Sequence, residues 1–124
     1  MSFKRLRIAT FAAVFTAAAL TSAVAIAHVD VEKTTPKRGG SAKTSLSSVT
    51  VTFSGPIRRG TLRVTGPGGK VVSIGKGGRD PRKITRLITE LKSSKAAGRY
   101  RAKWTIVAAD GHDEHGSFKF RLRK

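Results

Sequence analysis

All three histidines and five of the seven acidic residues of this 124-residue chain fall in two short stretches. They are His28-Val29-Asp30-Val31-Glu32 and Asp110-Gly111-His112-Asp113-Glu114-His115. Neither stretch holds a Lys or Arg, although the chain carries 25 of them and a formal charge of +18. With no Cys anywhere, imidazole and carboxylate are the side chains left to build a metal site. His28 also follows Ala25-Ile26-Ala27, a small-residue pattern of the kind signal peptidases cut. Cleavage there makes His28 the first residue of the mature chain. Its free α-amine and its Nδ1 can then close a six-membered ring on one ion.

The amine titrates near ~7.7 and imidazole near ~6.5, so both reach their metal-binding form close to neutral pH. Asp110 and His112 are two residues apart, and in extended backbone their side chains project the same way. Three nitrogens and one oxygen suit tetragonal Cu(II) or Ni(II), with Cu(II) at the head of the affinity order. Zinc could take the same donors less tightly, because it prefers a tetrahedron. His115 has odd spacing from His112 and points elsewhere in a regular strand; a bulge would bring it in. Asp30, Glu32, Asp113 and Glu114 make this end locally negative, and nearby charge outweighs distant charge screened over ~8 Å.

The elements that must position these groups begin after the leader. Lys4, Arg5 and Arg7 form a positive start, residues 8–25 are small and apolar, and Ala25-Ile26-Ala27 closes the pattern of a signal peptide. The apolar run is also long enough to serve as an uncleaved membrane anchor. Cleavage is the expectation, which makes the protein exported, to the periplasm or another extracytoplasmic or cell-surface location. Residues 28–124 then form one small domain with a modest core. Losing three cations leaves 22 against 7 acids, a net charge of about +15. That excess suits anionic cell-wall polymers, lipid headgroups or nucleic acid, or it simply keeps a basic exported protein soluble.

The mature region alternates with period two and shows almost no helical period. Residues 28–33 predict a short strand and 34–47 a long polar connection. Val49, Val51 and Phe53 alternate with Thr50, Thr52 and Ser54, and Leu62 and Val64 with Arg63 and Thr65. Gly66-Pro67-Gly68-Gly69 is turn chemistry, residues 71–74 predict a strand, and 75–81 a loop. Residues 84–91 predict another strand. Tyr100, Ala102, Trp104, Ile106 and Ala108 share one face against Arg99, Arg101 and Lys103, and Phe118, Phe120 and Leu122 repeat the pattern. About seven strands in a hundred residues predict an all-β fold, an Ig-like antiparallel β-sandwich or Greek-key barrel. If every strand reverses direction, His28 and the connection at residues 110–115 meet at one end.

The order and spacing of several segments resemble the CopC family of exported copper-resistance proteins. The likeness is carried by His28-Val29, Thr35-Pro36 with Gly40-Ser41, residues 49–54, and Leu62-Arg63-Val64-Thr65-Gly66-Pro67-Gly68-Gly69-Lys70. It continues through residues 98–104 and Ala109-Asp110-Gly111-His112, then Gly116-Ser117-Phe118-Lys119-Phe120. The resemblance implies a small Greek-key sandwich or barrel binding Cu(II) through His28, Asp110 and His112. It also implies a CopD-like membrane copper transporter as partner. Two departures stand out. Gly55 occupies a place where family members often carry an acid, and the chain's one Met is Met1, so a thioether Cu(I) site is excluded.

Rival chemistries have weaker signatures. Residues 66–70 and 75–79 lack phosphate-loop spacing, and no G-x-S-x-G elbow is present. Trp104 and Tyr100 lie on an apolar strand face, so core packing outranks base stacking, and no specific nucleic-acid module accompanies the basic faces. The expectation is therefore a monomeric, non-enzymatic Cu(II) carrier that sequesters copper, confers resistance or hands the ion to a membrane transporter. The alternative is a basic cell-surface module for anionic polymers or lipids, with the histidines incidental. Oxidative catalysis of the kind run by copper-dependent polysaccharide oxygenases is a third reading, for which so short a domain leaves little substrate platform.

Overall fold

A computed structural model describes residues 12–14 and 28–124. The signal-peptide reading falls on 1–27 and so lies almost wholly outside the described residues. Among those described, no helix is long and apolar enough to cross a membrane. Eight strands account for the domain: β1 Val31–Thr35, β2 Ser41–Lys43, β3 Ser48–Phe53, β4 Ile57–Thr65, β5 Ser73–Arg79, β6 Arg86–Leu91, β7 Gly98–Ala108 and β8 Asp113–Arg123. They form two four-stranded sheets, ordered β1-β3-β6-β5 and β2-β8-β7-β4. All pairings are antiparallel except β2 with β8.

The alternation read in the sequence is the alternation of burial. Tyr100, Ala102, Trp104, Ile106 and Ala108 of β7 are buried, as are Phe118, Phe120 and Leu122 of β8. They meet Val49, Val51 and Phe53 of β3 and Leu87 and Leu91 of β6 across the sandwich. Burying each such side chain contributes about 1.5–3 kcal/mol, which is where a domain this small finds its stability. The Phe53 and Trp104 rings meet edge to face at 4.9 Å and tie the two sheets together near the histidine-bearing end. Trp104 lies flat under β8 because residue 116 is Gly; a Cβ there would stand 2.4 Å from its Cζ2.

Two expectations need correction. The stretch 34–47 is not one long connection: Ser41–Lys43 forms β2, an edge strand parallel to β8. Its three residues are too few to show a period, and only the hydrogen-bonding edge of β8 makes them a strand. Residues 75–81 are not simply a loop either, since β5 runs on to Arg79. Glycines at 75, 77 and 78 hid it, and pairing with β6 slips between Ile74 and Gly78. The count is thus eight rather than about seven. The end-to-end argument survives because β2 carries on in the sense of β1, stepping to the other sheet without reversing.

Candidate metal site

Three segments meet at one rim of the sandwich, held by backbone groups. The start of β1 is fastened to the β3–β4 corner: Asp30 N–H donates to Ser54 Oγ at 2.9 Å, and Ser54 N–H to the Asp30 carbonyl at 2.7 Å. The β7–β8 connection is fastened to the same corner, with Ala109 N–H donating to the Pro56 carbonyl at 3.1 Å. Within that connection Ala108 N–H reaches the His112 carbonyl at 2.8 Å, and Gly111 N–H the Ala108 carbonyl at 2.9 Å. Gly111 takes φ of 91°, a conformation side chains rarely adopt, so this tight reversal needs glycine.

The corner Ser54-Gly55-Pro56 is the functional element that sequence reasoning missed. Gly55 registers in the sequence as the loss of an acid. In the structure Val29 lies over it, with Cγ2 placed 3.7 Å from where a Cβ would be. A Ser-Gly-Pro turn after a buried strand is the signal that could have marked a clamp, but nothing local says what it clamps.

Two of the three histidines each meet a carboxylate. Nδ1 of His28 stands 3.4 Å from Oε1 of Glu114, at the long end of hydrogen bonding, and the His28 side chain is 77% exposed. Nδ1 of His112 stands 3.0 Å from Oδ2 of Asp110, while Oδ1 of the same carboxylate accepts the His112 backbone N–H at 3.0 Å. That backbone donor, helped by the imidazole, holds the Asp110 carboxyl below its ordinary range. With Nδ1 held by the carboxylate, Nε2 is the ring nitrogen left to take a ligand.

Among the described residues no three His, Asp or Glu side chains converge on one point. What the fold brings to one rim is two imidazoles with their carboxylates, plus the backbone nitrogen of His28. Donors of this kind fit a borderline divalent ion of tetragonal preference better than a hard, all-oxygen cation. His115 is not in the group. It faces outward on β8 opposite Thr105, and no bulge interrupts the strand there.

Glu114 is the acid that the fold places best. It sits at an inward position of β8 opposite Ile106, its side chain 19% exposed. Its Oε2 is buried and has no hydrogen-bond partner among the described residues. Folding also brings a cation that the linear stretches exclude: Arg58 Nη1 lies 4.0 Å from the Cβ position of Gly111. The rim is therefore less purely negative than the sequence alone implies.

A small two-sheet β-sandwich with imidazoles and carboxylates gathered at one rim is the class that fold and site define. The CopC domain matches residues 31–123 of the sequence. The chain belongs to the CopC family. It is 25% identical over 99 residues to Protein YobA of Escherichia coli strain K12, covering 78% of this chain and 80% of that one. YobA of Shigella flexneri matches to the same extent. Among solved structures, CopC from Methylosinus trichosporium OB3b superposes with a TM-score of 0.65 at 21% identity, over 77% of this chain and 93% of that one. PcoC of Escherichia coli, described as a methionine-rich copper resistance protein, gives 0.64 at 19%, over 78% and 100%. At those identities the likeness carries the fold.

Proposed function

We propose that the chain is a non-enzymatic, exported Cu(II)-binding protein, with copper as its cargo. His28 supplies its terminal amine and Nδ1 after processing, and His112 and Asp110 supply an imidazole nitrogen and a carboxylate oxygen, once the ion draws the carboxylate off the His112 ring. Glu114 holds negative charge beside the His28 nitrogen that takes the ion. The observation that carries this reading is the shared rim: 86 residues apart in sequence, His28 and Glu114 touch, and Asp110 and His112 stand in the same short connection. Copper resistance, named for the PcoC protein of similar fold, is consistent with such a carrier. With Met1 as its one Met, this chain has no thioether set for Cu(I), so it is a one-site Cu(II) protein. Sequestration and delivery to a CopD-like membrane transporter both suit an ion held at an exposed rim.

Amino-terminal sequencing of the exported protein, followed by Cu(II) titration with paramagnetic resonance, tests the assignment. The expected result is a chain beginning at His28 that binds one Cu(II) with nitrogen hyperfine structure. Affinity should fall as pH drops below about 6–7, because protons compete for the amine and imidazoles. Placing one residue ahead of His28 should weaken binding strongly. Unchanged binding by that extended chain would remove the amine from the site.

A further inference from the structure

The outer face of the β2-β8-β7-β4 sheet is built from like charges set directly opposite one another. Arg99 is in register with Arg121 and Arg101 with Lys119 across β7–β8, and Arg63 with Lys103 across β4–β7. At the parallel edge Lys43 is in register with Arg123. All eight side chains are exposed, and none is in an ion pair among the described residues. Like charges directly opposite destabilise a sheet, and the usual remedy is an acid in alternate places. Here the single acid of this face is Asp113, at the end next to the metal rim.

The array is not a consequence of a generally basic composition. On the other sheet, outward positions in register across β3–β6 pair Ser48 with Glu90, Thr50 with Ile88 and Thr52 with Arg86, whose guanidinium is ion-paired with Asp80. The cations are concentrated on one face and held there against their mutual repulsion. That pattern points to an anionic partner which supplies the missing negative charge.

We infer that this face is a docking surface for an anionic lipid bilayer. Four strands about 4.8 Å apart, with outward residues every ~7 Å, spread the cations in two dimensions rather than along a track for a linear polymer. The aromatic residues of β7 and β8 all point into the core, so the face offers no platform on which bases could stack. It shows no exposed large apolar side chain to insert, so binding is electrostatic and peripheral. A shallow depression of about 220 Å³ beside Gly39 and Gly40, ringed by Arg99, Lys119 and Arg121, is of a size for one phosphate headgroup. Docked this way, the protein leaves the metal rim at the edge of the contact, clear of the lipid.

Sedimentation of the exported protein with vesicles tests this independently of copper. Phosphatidylcholine vesicles containing phosphatidylglycerol should carry it down at low salt and release it at high salt, while pure phosphatidylcholine should not bind it. The triple substitution Arg99→Ser, Arg101→Ser, Arg121→Ser should weaken binding roughly a hundredfold, at about fivefold per cation. Lys33→Ser, Lys70→Ser, Lys76→Ser removes the same charge away from the face and should weaken it far less. Cu(II) titration should be the same for both triple variants and the unaltered chain. Equal loss in the two variants would reduce the effect to net charge and overturn the proposal. So would binding to neutral vesicles, or complete competition by soluble polyphosphate at equal phosphate, which would make a free polyanion the ligand.

Discussion

Replacing Glu114 with Leu should make the metal-free domain more stable and reduce the stability that copper adds to it. The carboxylate occupies an inward strand position beside Ile106, its Oε2 is buried without a hydrogen-bond partner among the described residues, and its contact with His28 is a long 3.4 Å. A buried polar oxygen left unmet costs about 1–3 kcal/mol. Leu has a similar reach, restores apolar contact and removes that cost, so a gain of about 1–2 kcal/mol is expected. In a domain near a hundred residues each kcal/mol moves the melting midpoint by about 4–8 °C, which calorimetry of the metal-free protein resolves easily. The copper arm runs the other way. Without the carboxylate that stands beside Nδ1, the ion loses a nearby negative charge, and affinity should drop about tenfold. At a fixed excess of Cu(II), each tenfold of weakening removes about 1.4 kcal/mol from the stabilisation that the metal confers. The two effects should therefore oppose each other, with the variant melting higher without copper and gaining less on its addition. A metal-free midpoint that stays put or falls would show that Glu114 is well satisfied in the native state, and the reasoning would be wrong.

Three further substitutions probe the frame around the site. Gly116→Ala would set a Cβ 2.4 Å from Trp104 Cζ2, on a ring already locked against Phe53, and should destabilise by about 1–3 kcal/mol in thermal unfolding. Arg58→Ser removes the guanidinium next to Gly111 and should raise Cu(II) affinity several-fold, with the gain shrinking as salt is added. Asp80 is buried; the Arg82 backbone N–H, with the Arg86 and Arg82 side chains, holds its carboxyl below the ordinary 3.8. A depressed native value means that its contribution is complete above the ordinary value and is lost as pH falls from there through the lower native value. Melting curves of Asp80→Asn against pH should lose that acid limb and converge with the unaltered protein at low pH.

The strands that carry the core were legible because burial writes itself into the sequence with period two: β3, β7 and β8 each alternate apolar and polar residues over most of their length. β2 was not legible, since Ser41-Ala42-Lys43 becomes a strand by pairing with β8 and not by its own pattern. β5 was hidden by glycines at 75, 77 and 78, which break the alternation while permitting the slipped pairing. At the site, residue types and spacing marked His28, Asp110 and His112, and strand parity brought them to one end. Parity says nothing about which atoms meet. That Glu114, and not Asp30 or Glu32, reaches His28 depends on the inward phase of β8. That Arg58 reaches the turn depends on where β4 begins. Neither is encoded within ten residues of the group it touches.

The rim is built unevenly, and the unevenness bears on what it can do with an ion. Its Asp110–His112 half is held by backbone bonds to Ala108 and Pro56 and by a glycine at positive φ, so the segment that carries these donors is set before any ligand arrives. Its His28 half lies ahead of β1, largely exposed, with one long contact to Glu114. An ion that engages both halves must order the second against the first, and that ordering subtracts from the affinity a fully prepared site would have. The same looseness gives a competing ligand a way in, because the His28 donors can leave one at a time while His112 still holds. A resident structural metal would be better served by donors fixed on both sides. A rim fixed on one side and open on the other is suited to an ion in passage, which is the physical reason to propose copper as cargo rather than as part of the fold.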